Sequence, residues 1–261
     1  KDQDRVETVT YRKDAQKAVI RYVSTNGNRV LTTDEVTGKS GEAIAYSTTS
    51  QITEFKKQGY KLVSDEFTAG GAKVYDYDTA RDQVYTVTLS ERVEPVNPDN
   101  PTPQPNTPVN PGQPDSPRWP GTVENLDNKE SVSRTIHYVY EDGSKAKDDV
   151  VETLNFKRWS NVNLVTGHID FQDWTTNDDT FDKVVSPTIA GYTADKSEIP
   201  AVSGVKAKDQ DRVETVTYRK DAQKAIIRYV STNGNRVLTT DEVTGKSCLL
   251  YTSDAADDSL R

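Results

Sequence analysis

"KAVIRYVSTNGNRVLTTDEV", residues 17–36, decides the fold of the first half of the chain. It begins with a run rich in β-branched and aromatic residues, turns at Asn26-Gly27, and resumes as "RVLTTDEV", so it reads as a β-hairpin. Downstream, "STTSQITEFKKQGYKLV" (47–63) offers caps at Ser50 and Thr53, sets Ile52 and Phe55 three residues apart, and meets a stop at Gly59. That predicts one short helix over about residues 49–58. "YKLVSDEF" (60–67) and "QVYTVTL" (83–89) are strands, the second with Tyr85, Val87 and Leu89 on one face by period-two alternation. A hairpin, a helix laid across it and returning strands make residues 15–93 a ubiquitin-like β-grasp, an α+β domain.

The same hairpin occurs twice. Residues 1–40 return at 208–247 with one change, Val19 to Ile226, which sets a period of 207 residues and predicts an elongated tandem-repeat array. Residues 1–14 then read as an orphan last strand of a preceding repeat, and 221–247 as the truncated start of a next β-grasp domain. The chain lacks methionine, as expected of an internal fragment. The copies diverge abruptly at the sole cysteine, Cys248, and residues 248–261 read as a non-homologous tail from a sequence junction.

Ten of the 12 prolines lie between Pro95 and Pro120, mostly three apart. Polyproline II has three residues per turn, so residues 94–121 predict a semi-rigid linker reaching roughly 80 Å if fully extended. Beyond it, "RTIHYVY" (134–140) and 149–159 are strands, 161–174 a hairpin bending at Thr166-Gly167, and "RVETVTY" (212–218) a last strand. Residues 122–220 therefore form a second, mainly β domain.

Charged residues make up 28% of the chain and the net charge is −8, which disfavours nucleic acid or an anionic membrane as partner. No run of apolar residues is long enough to cross a bilayer as a helix. One cysteine provides neither a disulfide framework nor a thiolate metal site. Catalytic constellations are wanting as well: the two histidines, His137 and His168, fall in predicted strands, and "TGKS" lacks the earlier glycine of a phosphate loop. No enzyme, cofactor or metal is expected. The weaker metal reading is Ca²⁺ held by Asp76, Asp78 and Asp82 or by Asp178, Asp179 and Asp182.

The order and wording of "VLTTDEVTGKSGEAIAYSTTSQITEFKKQGYKLVSD", the proline-rich joint, "SRTIHYVYEDGS", "DWTTNDDTFDKVVSPTIAGYTADKSEIPAV" and "DRVETVTY" resemble the Mub repeats of lactobacillal mucus-binding adhesins over about residues 1–247. The resemblance implies a ubiquitin-like domain followed by a MucBP-like domain, in a secreted, extracellular, sortase-anchored (LPXTG) cell-wall protein. It also implies mucin glycans as ligands and, for some repeats, immunoglobulins. Sugars stack on flat aromatic rings while their hydroxyls need polar partners, so Trp159, Trp174 and Tyr192 are the candidate ligand contacts. Trp119 reads as a contact between linker and second domain. The competing reading is a structural stalk that presents a distal binding head.

Overall fold

Ser24 and Arg29 close the first turn, the Ser24 amide donating to the Arg29 carbonyl (2.8 Å), with Gly27 (φ +69°) and Asn28 (φ +52°) left-handed between them. The connection is thus five residues long, and the flanking segments become β1 (Ala15–Ser24) and β2 (Val30–Lys39). Then follow α1 (Thr49–Lys57), β3 (Tyr60–Asp65), β4 (Gln83–Glu91), β5 (Val93–Val96) and a 3-10 turn (Gly121–Asn125). The chain continues through β6 (Lys129–Tyr140), β7 (Lys145–Lys157), β8 (Ser160–Asn163) and β9 (Ile169–Phe171). β10 (Val184–Val185), β11 (Tyr192–Ala194), β12 (Glu198–Ile199), β13 (Arg212–Lys220), β14 (Ala222–Val230) and β15 (Val237–Lys246) complete it. This computed structural model describes residues 5–247; the tail expected at 248–261 lies outside the described residues. The fold is mostly β, in two units. One holds the described residues up to Asn128 together with Arg158–Asp173, the other Lys129–Lys157 together with the described residues from Trp174 on.

In the first unit the sheet order is β2-β1-β4-β3, and β1 runs parallel to β4. Period-two alternation turns Ala18, Ile20 and Tyr22 inward with Val87 and Leu89, all at 0% exposure, and α1 covers them with Ile52 and Phe55. Phe55 lies 5.6 Å from both the Tyr22 and the Tyr60 ring, an aromatic cluster that adds to simple area burial. Gly59 ends the helix at φ +94°, and a Cβ there would sit 2.8 Å from Leu164 Cβ. Only glycine allows both the backbone turn and that approach.

Residues 94–121 are not an extended rod. β5 pairs antiparallel with β8, which pairs with β9, and the chain then doubles back: Asn106 donates to the Trp119 carbonyl (2.9 Å), Trp119 to Thr107 (3.0 Å) and Val109 to Pro117 (2.9 Å). Prolines every third residue leave the amides between them free to bond, and Pro95 sits on an edge strand, where its missing N–H costs little. Trp119 packs into a small core with Val96, Val123, Val162 and Leu164, so it joins the proline segment to residues of the 122–220 stretch, as expected. The hairpin of residues 160–171 thus belongs to the first unit, held by Asn163 Nδ2 on Glu91 Oε2 (2.7 Å) and Leu164 N on Arg92 O (2.9 Å). Within the 122–220 segment that the sequence suggests, residues 158–173 therefore pack with the first unit.

The second unit repeats the arrangement of the first. Its sheet order is β11-β13-β6-β7, with β6 and β7 a hairpin and β13 parallel to β6. Arg134 on β6, 1% exposed, donates through Nε to Glu152 (2.7 Å), through Nη1 to the Pro200 carbonyl (3.0 Å) and through Nη2 to the Asp182 carbonyl, over the Phe181 ring. One buried cation thereby ties the sheet to the segments that bridge at Phe181 and Val202.

The duplicated sequence has different fates at its two sites. In β13, Val216 and Tyr218 are 0% and 1% exposed beside β6, whereas their twins Val9 and Tyr11 are 73% and 91% exposed in a segment without regular structure. The later hairpin, β14–β15, keeps the register of β1–β2, including the irregularity between Tyr229 and Val230, but its residues are all exposed.

Two expectations follow. Arg134→Ala leaves Glu152 without its partner and two carbonyls without donors, so the second unit loses about 3–5 kcal/mol. Hydrogen exchange should show faster exchange in β6 and β13 and unchanged protection in α1. Burial, the leading cause, raises the ionisation of Tyr22, Tyr46, Tyr75, Tyr85, Tyr138 and Tyr218 above the ordinary phenol value of 10.0. Their contribution to stability is complete below pH 10 and is lost as pH climbs towards the folded-state values. The urea midpoint, followed from pH 8 upward, should fall once pH 10 is passed.

Candidate functional site

Where β1 begins and β2 ends, the first unit carries an open cavity of about 470 Å³ bordered by residues 15–17, 37–39, 78–79 and 81–82. Its floor follows from strand phase. Gln16 is in phase with Ala18, Ile20 and Tyr22, so it points to the core side, is 6% exposed, and its Nε2 has no partner. Opposite Gln16 in the ladder stands Gly38, and the Tyr75 ring fills the place of the missing side chain: a Cβ there would lie 2.1 Å from the ring.

The rim is built by acidic side chains acting locally. Asp76 Oδ1 accepts from Asp78 N (3.1 Å), Asp78 Oδ1 accepts from Ala80 N (2.9 Å), and Gln83 Oε1 accepts from Asp76 N (3.0 Å). Lys17 bridges Glu35 (3.1 Å) and Asp82 (3.2 Å), and these bonds, Glu35 first, raise its ionisation so that it stays cationic. Among the described residues, no hydrogen bond or ion pair engages the Lys39 ammonium or the Arg81 guanidinium. The two uncommitted cations and the Asp78 and Asp82 oxygens can bind a polar, hydroxyl-rich ligand. Among the described residues, no three His, Cys, Asp or Glu side chains are gathered for a metal ion. At the second acidic loop, Asp178 accepts from Thr180 N (2.9 Å), Asp179 bonds the Thr180 hydroxyl (3.0 Å), and the Asp182 carbonyl serves Arg134.

The three aromatic candidates fall in two units and, within the second, in two different cores. Trp159 lies in the first unit and is 42% exposed. Trp174, in the second, is half-buried against the Val132–Phe181 core, with Lys208 Nζ 5.5 Å above its ring. Tyr192 stacks at 4.7 Å on Tyr140 in the other core of that unit. A second cavity, about 380 Å³, lies along β7 over Leu154 and Phe156 and is rimmed by Lys129, Asn155, Asn177 and Asp178. His137 bonds Asp149 (2.9 Å) on the exposed face of β6, and His168 lies in the turn before β9 rather than in a strand. Gln16 escaped the sequence reading, although a polar residue in phase with an apolar strand face was the available signal.

Residues 16–91 match the family model of a mucin binding domain, and residues 123–222 that of a Muc B2-like domain. A type 2 repeat of the mucus binding protein MUB from Lactobacillus reuteri is 28% identical, covering 79% of this chain and all of its own, with a TM-score of 0.51. The Mub-RV structure is 26% identical and covers 79% of this chain and 99% of its own, with a TM-score of 0.62. The chain belongs to the Mub/MucBP-like repeats. A MucBP domain of the adhesion protein from Pediococcus pentosaceus is 36% identical, covering 35% of this chain and 98% of its own (TM-score 0.32). No curated protein matches. Within this Mub/MucBP-like repeat the cavity of the first unit falls almost wholly inside the mucin binding match, whereas the Muc B2-like match includes residues 158–173 of the first unit.

The duplication supplies an internal control for the cavity floor. Gly38→Ala should destabilise the first unit by about 1–3 kcal/mol, because the Tyr75 ring must move. Its twin Gly245→Ala, with nothing within 4 Å of the new Cβ, should cost nothing measurable in the same urea titration.

Proposed function

We propose that the chain is a non-catalytic adhesin repeat that binds mucin glycans on the host-facing surface of an extracellular, cell-wall-anchored protein. The observation that carries this reading is the open cavity inside the mucin binding match, with the Lys39 and Arg81 cations on its rim uncommitted. The sheet order β2-β1-β4-β3, with β1 parallel to β4 beneath one helix, supports reading residues 15–93 as a ubiquitin-like β-grasp. Residues 5–14 and 212–221 share one sequence, and the later copy completes a sheet; this supports a tandem array in which that segment is the last strand of a repeat. Arrays of weak sites gain avidity through effective concentration. Trp159, whose ring is the most exposed of the three candidates, is the proposed stacking contact, with Trp174 and Tyr192 as further contacts; immunoglobulin is a second proposed ligand of such repeats. No helix among the described residues is long and apolar enough to cross a membrane.

Immobilised gastric mucin tests the reading. Lys39→Ala/Arg81→Ala should weaken binding by about tenfold, equivalent to about 1.4 kcal/mol, and enzymatic removal of the mucin glycans should abolish it. Binding that survives deglycosylation would replace the glycan by a protein ligand. Absence of binding by the unmodified chain would favour the stalk.

A further inference from the structure

β7 is an edge strand of the second unit's four-stranded sheet, and the chain covers one end of it. There Lys157 N donates to the Thr175 carbonyl (2.9 Å), Thr175 N to the Lys157 carbonyl (2.8 Å), and the Thr176 hydroxyl to the Asn155 carbonyl (2.8 Å). The covering segment then leaves the edge, and the cavity of about 380 Å³ opens between β7 and residues 176–178. In an antiparallel ladder every second residue turns both backbone groups to the same side. Lys157 and Asn155 turn theirs outward, and the β6–β7 register is regular from Lys157 to Val150, so Thr153 and Val151 do the same. Among the described residues, no hydrogen bond engages the N–H or C=O of either, and Val151 is 63% exposed. Unpaired groups along an edge are a template for an added strand.

The occupant is defined by the two ends and the two faces of this opening. Beyond Val150 the ladder is irregular and carries Lys145, Lys147, Asp148 and Asp149, features that blunt an edge against pairing. Two-fold pairing of β7 with a second copy would bring that blunted end onto residues that Thr175 already holds, so the opening suits a short segment of another protein. On the core face of β7 lie Leu154 and Phe156; on the other lie Thr153, Asn155 and Lys157, with Lys129 opposite Lys157. Among the described residues, no hydrogen bond or ion pair engages the Lys129 ammonium, which borders the cavity. We propose that β7 takes an extended peptide of a partner protein as an added antiparallel strand, continuing the line that Thr175 begins. Successive side chains of a strand point to opposite faces, so an apolar residue lies over Leu154 and Phe156 while its acidic neighbour reaches towards Lys129. This site belongs to the other unit from the proposed glycan cavity and does not depend on it.

The synthetic peptide acetyl-Thr-Glu-Val-Glu-Val-Glu-Thr-amide, titrated into the isotopically labelled full chain, tests this by nuclear magnetic resonance. It should shift the Val151 and Thr153 amide resonances and slow their hydrogen exchange. Lys129→Ala should weaken binding by about threefold, the size of an exposed ion pair. Thr153→Pro removes an outward N–H at a place where an edge strand tolerates proline, so it should abolish binding and leave the circular dichroism unchanged. The same peptide N-methylated at its glutamates, whose amides would face β7, should not bind, and this comparison decides the matter even where the proline variant unfolds. No binding at millimolar peptide would overturn the proposal. Equal binding of the methylated peptide would overturn it too, by showing adhesion through side chains alone, and so would shifts confined to β2 or β3, the edges of the other four-stranded sheet.

Discussion

Each of the two sheets is completed by a strand that returns parallel to the first strand of a hairpin, β4 beside β1 and β13 beside β6. Everything else hangs on that return, because parallel neighbours cannot be joined by a tight turn and need a crossover that also covers one face. In the first unit the crossover contains α1. In the second it is longer and makes an excursion, residues 158–173, that becomes part of the first unit. The chain duplication isolates this constraint: "RVETVTY" is a paired strand beside β6, with Val216 and Tyr218 buried, and has no regular structure at residues 5–11. Strand propensity is the same in both places, and pairing decides the outcome.

Energetic considerations agree. Full burial of an Ile or Val side chain contributes about 1.5–3 kcal/mol, and a short strand that buries none cannot offset its backbone ordering. The β14–β15 hairpin sits between these limits. Its cross-strand hydrogen bonds form locally, and its base is anchored by Ser247 N on Asp221 O (2.7 Å) and Asp221 N on Gly191 O (3.0 Å). Such a hairpin can be shaped before it is covered, which separates local pairing from core formation within one sequence.

What was legible in the sequence was local. The Asn26-Gly27 signal, the Ile52/Phe55 spacing and the alternation through Tyr85, Val87 and Leu89 give the hairpin, helix and strand because their periods lie within a few residues. The proline segment was misread because the bonds that fold it, Asn106 to Trp119 and β5 to β8, join residues far apart, whereas proline spacing reports only backbone preference. The candidate site was half legible. Asp78 and Asp82 stood out as acidic residues, but composition suggests a cation for them, whereas the structure commits them to a turn and to Lys17. Trp159 and Trp174, close in sequence, belong to different units.

The cavity of the first unit sits at the base of the hairpin, and that position links its geometry to the integrity of the sheet. Gln16 reaches the cavity only because Ala18, Ile20 and Tyr22 hold β1 in phase against the core, and Lys39 is presented by the last residue of β2. A one-residue slip of β1 would carry Gln16 to the other face and Lys17 into the floor. The groups that line the cavity are therefore fixed by the same apolar residues that fix the fold. Removing core contacts remote from the cavity should degrade its geometry before any cavity residue is altered, because a site on a strand inherits the precision of the register beneath it.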